Sequence, residues 1–388
     1  MTITNSAAKT KSLGIYVHIP FCVRKCAYCD FLSFANRDET VHRSYACQLS
    51  TELIGRSAVY GNKYSVDTIF IGGGTPSLLS PILIDAILDT IYARFRVEGD
   101  AEVTMEVNPG TVDGVEHFTE LRNAGVTRLS IGAQSFQASM LRFLGRVHEA
   151  ADVTRCYALA REAGFENINL DLMFGMPDER LDTWKADLQT AITLNPEHIS
   201  FYSLQIEEET PLFGEIMNGK YTPLPEIDDR LMYHHAIEAL CRAGYVHYEI
   251  SNAARPGFAS RHNLKYWSLD DYLGVGLGAH SYINGRRFAN TNIWKDYMGA
   301  DEHGALTMWS HENSQRDDIA EYVFLGLRKI EGIDLSRFRR QFGRDFWEIY
   351  REETHMLMER GLLEHRDGIL RLTRLGLDLS NQVFVEYI

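Results

Sequence analysis

Cysteine is scarce in this 388-residue chain, and three of its six, Cys22, Cys26 and Cys29, crowd into one short stretch. The others, Cys47, Cys156 and Cys241, stand alone in periodic apolar segments that read as helix, which leaves no disulfide framework to propose. An apolar secretory leader is missing from the N-terminus, and no uncharged apolar run reaches the roughly 18 to 20 residues a bilayer span needs. The expected location is therefore cytoplasmic, with membrane association at most peripheral. Basic charge is also short: 39 Lys and Arg face 53 Asp and Glu, for a net charge of −14. The cations are scattered apart from the short Arg337-Phe-Arg-Arg340, which reads as a solvated helix face, so nucleic-acid binding is not expected.

What is present is an ordinary globular composition, 45% hydrophobic and 24% charged, enough for one large domain and a smaller one. Short β-rich runs alternate with helical periodicity. Strands are predicted at Gly14–Ile19, Thr68–Ile71, Glu102–Val107, Arg128–Gly132, Ile168–Phe174 and His198–Leu204, with helices such as Ile82–Phe95 and Ala150–Ala163 between them. Repeated strand then helix implies a parallel sheet, either open or curled into a barrel. Polar residues recurring near the strands' C-terminal ends favour the barrel, where α/β folds place their sites.

Beyond Leu212 the pattern is less regular, with a helix predicted over Ile227–Ala243, a strand near Tyr245–Ile250 and a glycine-rich stretch, Leu273–Ser281. From about Gln315 come helices predicted at Asp317–Lys329, Leu335–Phe342 and Phe346–Arg360, then a hairpin around Asp367-Gly368, a winged-helix-like α+β arrangement. The expected division is a mobile leader (1–12), a core barrel (13–212), an extension (213–314) and a C-terminal domain (315–388).

The cysteine trio is spaced Cys22-x3-Cys26-x2-Cys29. A structural zinc site wants four ligands, commonly as two separated pairs, and the chain offers no second pair. A cuboidal iron–sulfur cluster usually takes four thiolates, so three would leave one iron open to a non-protein ligand.

With Tyr16-Val-His-Ile-Pro-Phe before it and Tyr28 ahead of the third cysteine, this motif resembles the radical S-adenosylmethionine (SAM) superfamily, and within it the HemN/HemW family. The resemblance runs from about Ile15 to near the C-terminus. It implies a partial (β/α)6 TIM-like barrel and a four-iron, four-sulfur ([4Fe-4S]) cluster on Cys22, Cys26 and Cys29, with SAM on the open iron, where one electron cleaves a carbon–sulfur bond to give a 5′-deoxyadenosyl radical. It further implies a SAM pocket built from Gly73, Gly74 and Thr75 of the glycine-rich loop (SAM amino group), Glu106 (ribose), Arg146 (carboxylate), Gln134, Asp171 and Tyr16. Phe21, Tyr28 and Phe31 are expected to wall the cluster from water.

The dehydrogenases of this family carry a further cysteine two residues after the third ligand; here that position is Phe31. Asp30-Phe31 and His262-Asn-Leu-Lys-Tyr-Trp267 match instead the branch whose members handle haem. The resemblance therefore implies haem as a third bound group, delivered to haem-accepting proteins such as respiratory enzymes, with His262 as candidate haem ligand and Tyr266 and Trp267 as flat haem contacts. His234, His235 and His280 are further imidazoles; the first two read as structural. The alternatives are oxygen-independent coproporphyrinogen III dehydrogenase and a radical SAM enzyme acting on another tetrapyrrole.

Overall fold

The computed structural model describes residues 11–36, 38–301 and 306–388. Most of the expected leader lies outside the described residues; Lys11 and Ser12 open the first strand.

Six strands, β1 (Lys11–Ile19), β2 (Tyr64–Gly73), β3 (Arg96–Val107), β4 (Arg128–Gln134), β5 (Ile168–Phe174) and β6 (His198–Ser203), correspond to the six read from the sequence. Helices α1 (Glu39–Tyr60), α2 (Pro81–Arg94), α3 (Val115–Asn123), α4 (Ala150–Glu162) and α5 (Leu181–Leu194) connect them. Each strand pairs in parallel with the next. Alternate residues of β1, Leu13, Ile15, Val17 and Ile19, make one fully buried apolar face in the same core as Ile84, Ile87, Leu88 and Ile91 of α2. This is the partial barrel expected.

The extension adds strands to both edges of the same sheet. After α6 (Glu226–Arg242), strands β7 (Val246–Glu249) and β8 (Asn252–Ala254) join antiparallel beside β6. Past a short helix, α7 (Arg261–Trp267), the start of the glycine-rich stretch forms β9 (Tyr272–Val275), a seventh parallel strand against β1. Strands β10 (His280–Ile283), β11 (Arg286–Asn290) and β12 (Thr307–Glu312) complete a 12-stranded sheet that does not close on itself.

At the C-terminus, helices α8 (Gln315–Gly326), α9 (Leu335–Phe342) and α10 (Arg351–Glu359) pack with a three-stranded sheet, Ile333–Asp334, Leu363–Arg366 and Ile369–Leu372. Their apolar core is separate, built around Val323, Phe338, Leu357 and Leu370. The helix expected over Phe346–Arg360 breaks at Tyr350, whose hydroxyl is held by the Tyr387 carbonyl at 3.2 Å. No described helix is long and apolar enough to cross a membrane.

Candidate functional site

The three cysteines lie on the loop leaving the C-terminal end of β1. Main-chain bonds pin this loop at its base, Phe34 N–H to the Pro20 carbonyl (2.9 Å) and Asn36 N–H to the Cys22 carbonyl (3.0 Å). Farther out, the Leu212 N–H reaches the Ala27 carbonyl at 2.9 Å and Arg24 donates to the Gly145 carbonyl. A relay holds it from inside: the Leu32 carbonyl can only accept, so His18 donates from Nε2 (2.8 Å) and takes the Tyr16 hydroxyl proton on Nδ1 (3.0 Å).

All three half-buried thiols line one cavity of about 320 Å³ together with Gly73, Gly74, Thr75, Glu106, Gln134, Arg146 and Asp171. Gly73 has φ +115°, and a Cβ on Gly74 would sit 2.6 Å from the Phe21 carbonyl oxygen, so only glycine lets this loop pass so close to the cysteine loop. Thr75 Oγ1 lies 3.8 Å from Cys22 Sγ, and Arg146 Nη1 lies 3.9 Å from Cys26 Sγ while its Nη2 donates to the Gly132 carbonyl (2.9 Å). Gln134 ends β4 at φ 64° and accepts from the Tyr202 hydroxyl at 2.7 Å. A bulky residue in that backbone region carries strain, of the kind found at ligand sites.

The carboxyl of Glu106 accepts the Gly73 N–H at 3.0 Å. Burial, and then the nearby Asp171 carboxyl, push it up to about 8. Burial likewise raises Asp171, against hydrogen bonds from Asn169 and Ser130. Two buried acids facing a polar cavity are costly unless something they bind repays the desolvation. The donor set fits a cluster better than a single ion. The Cys29 thiol is raised first by burial and also by Cys26 and Cys22 beside it, yet among the described residues no three metal-binding side chains close on one point. A cuboidal cluster spreads its ligands over three corners, wider than one ion does.

Helix α7 occupies the opposite end of the barrel. Ser260 caps it, and Glu102 of β3 accepts its first N–H groups, Arg261 and His262, each at 3.2 Å. Lys265 pairs with Asp67 at 2.8 Å and donates to Ser12 at 2.8 Å. His262 is fully buried; its Nδ1 shares a hydrogen bond with Thr68 Oγ1 (2.8 Å) and its Nε2 with the Tyr266 hydroxyl (2.9 Å). Burial, then the charges of Lys265 and Arg128, push its pKa down to about 3. The helix thus plugs the barrel floor, and both ring nitrogens of His262 are engaged. Its ring abuts Gly14, five residues before Ile19, so at strand rise it lies roughly 16 Å below the start of the cysteine loop.

Mouth and floor are bridged by an inner cavity of about 280 Å³ that shares Phe31, Gly73, Glu106, Ser130 and Asp171 with the first. Tyr16, Tyr266 and His262 line this inner space, so Tyr16 sits beneath the cysteine cavity instead of in its wall. Trp267 lines neither cavity; the Arg328 guanidinium lies over its ring at 4.2 Å. Phe21 turns into the core against Phe34, His42, Tyr45 and Trp294, and Phe31 is 62% exposed at the mouth, which leaves Tyr28 of the three expected aromatics as a half-buried wall. His234 is held by Asp378 at 3.0 Å, as a structural imidazole would be, and His280 is exposed. Two cavity groups escaped the sequence reading, Tyr202 and Arg128; an arginine opening an otherwise apolar strand was the available signal for the second.

The radical SAM superfamily model matches residues 16–191, and the HemN C-terminal domain model matches residues 313–379. The chain is 38% identical to the heme chaperone HemW of Bacillus subtilis over 95% of its own length and 97% of that protein. It is 45% identical to the heme chaperone HemW of Escherichia coli over 71% of each. Among solved structures, coproporphyrinogen III oxidase (HemN) from Escherichia coli aligns with a TM-score of 0.84 over 97% of this chain and 90% of that one, at 23% identity, a likeness of fold. The chain belongs to the radical SAM superfamily and, within it, to the HemW family.

Proposed function

We propose that the protein is a haem chaperone: it binds haem and passes it to haem-requiring proteins, and it carries a 4Fe-4S cluster and a SAM site. The observation that carries this reading is the match to heme chaperones over nearly the full length of both chains, with Phe31 where the dehydrogenases have their extra cysteine. Cys22, Cys26 and Cys29 hold the cluster in this reading. Gly73, Gly74, Thr75, Glu106, Gln134, Arg146 and Asp171 receive SAM, with Tyr16 below. A reduced cluster held there would supply one electron to a bound sulfonium. The chain's own groups do the rest: Gly74 permits close main-chain approach, Arg146 brings positive charge beside Cys26, and Glu106, with its raised pKa, can donate or accept a hydrogen bond near neutrality.

Haem enters this reading from the mouth, where exposed Phe31 and Val147 offer apolar surface beside the cysteines. Coordination by His262 would first have to break its bonds to Thr68 and Tyr266 and unseat α7. The test is haem retention: anaerobically reconstituted protein should keep one equivalent of haem through gel filtration, seen as a Soret band co-eluting with protein. Complete loss of haem, with turnover of coproporphyrinogen III under reducing conditions, would replace the chaperone with the dehydrogenase.

A further inference from the structure

Arg128 opens β4 and points into the inner cavity. It is only 2% exposed, its Nε is buried without a partner, and among the described residues its guanidinium makes no ion pair or hydrogen bond. Neighbouring groups of the floor are satisfied: His262 by Thr68 and Tyr266, Lys265 by Asp67, Glu102 by the start of α7. Directly across the ladder, Thr104 Oγ1 is also buried and unpartnered. Its charge acts on the Asp171 carboxyl, which lines the same cavity, but no bond joins the two, and a guanidinium presents a planar fork that fits a carboxylate with two parallel bonds. The cavity is too small for a porphyrin ring but has room for an acidic arm entering beside Phe31, which lines both cavities.

We infer that the inner cavity is a carboxylate subsite in which Arg128 receives an acidic side arm of the ligand held at the mouth. Resting on the haem reading above, that arm is a haem propionate. Glu106, which also lines the space, is raised to about 8, so a proton kept there would bond to the incoming carboxylate instead of repelling it.

The experiment uses the full chain, wild type, Arg128→Gln and Arg128→Lys, with two probes. Sodium propionate against matched chloride should raise the melting temperature of wild type and of Arg128→Lys in part, but not of Arg128→Gln. Haem should bind wild type about tenfold more tightly than haem with both propionates esterified, a preference that vanishes in Arg128→Gln. A merely structural arginine would lower the melting temperature in chloride without removing the propionate dependence, and that result overturns the subsite. So does equal binding of haem and its diester by wild type, a comparison that stands even where a variant fails to fold. Propionate stabilisation through Arg128 with no haem binding upholds the subsite and removes haem as its ligand.

Discussion

The two ends of this barrel carry similar chemistry and are built in opposite ways. At the mouth, thiols, an arginine and two raised carboxyls line an open cavity, and the Nε of that arginine, Arg146, is buried without a partner. At the floor, His262, Tyr266, Lys265 and Glu102 are as polar, yet each is closed into a hydrogen bond or ion pair with its neighbours. The contrast teaches that residue type does not separate site from scaffold; what the side chains face, an open cavity or one another, does. The stretch singled out in the sequence for haem, His262-Asn-Leu-Lys-Tyr-Trp267, belongs to the seven-residue helix Arg261–Trp267, whose aromatic and charged groups hold the barrel bottom together.

The largest expected difference between the ends is in iron. Cys26→Ala should remove most cluster iron and sulfide from reconstituted protein while shifting its unfolding midpoint little, because the thiols are half-buried on a loop. His262→Ala should do the reverse, leaving cluster iron intact and costing about 3 kcal/mol in urea unfolding, from a buried cavity and two orphaned partners. Iron retained by Cys26→Ala, or lost by His262→Ala, would erase the division.

pH should sharpen it further in ligand-free protein. Glu106 is raised to about 8, so the folded state holds a proton the unfolded state has released, and stability falls as pH rises from the usual carboxylate range towards 8. His262 is lowered to about 3, so the unfolded state takes up a proton the folded state refuses, and stability falls as pH drops from about 6.5 towards 3. Each slope is at most about 1.4 kcal/mol per pH unit. Glu106→Gln should make the first shallower and His262→Ala the second, with buried groups such as Glu179 and His247 keeping part of each slope; profiles parallel to wild type would show that neither group titrates as its surroundings require.

The smallest effect is at the rim. Phe31 is 62% exposed, so Phe31→Cys should change stability by less than about 0.5 kcal/mol and should not by itself confer coproporphyrinogen turnover.

Much of this was legible in the sequence. Short β-rich runs such as Gly14–Ile19, set between helical patterns, read as strands, and the six strands fall where that alternation puts them. Glu106, Gln134 and Asp171 stood out as polar groups in apolar strands, and they line one cavity with the cysteines. What the sequence could not give is where a short helix docks. The partners of His262 lie as far as 194 positions away, at Thr68, and local periodicity carries no information about such contacts. Phe21 and Phe31 sit in a loop without periodicity, so which one faces the core is decided by distant residues, Tyr45 and Trp294.

Hydrogen exchange across Arg261–Trp267, with and without haem, tests the working mouth and sealed floor most directly. The account predicts that haem slows exchange in the cysteine loop and does not speed it in this helix, because the bonds from Glu102 to Arg261 and His262 stay closed. Faster exchange in the helix on haem binding would mean that the plug opens to let His262 meet the iron, and would contradict it.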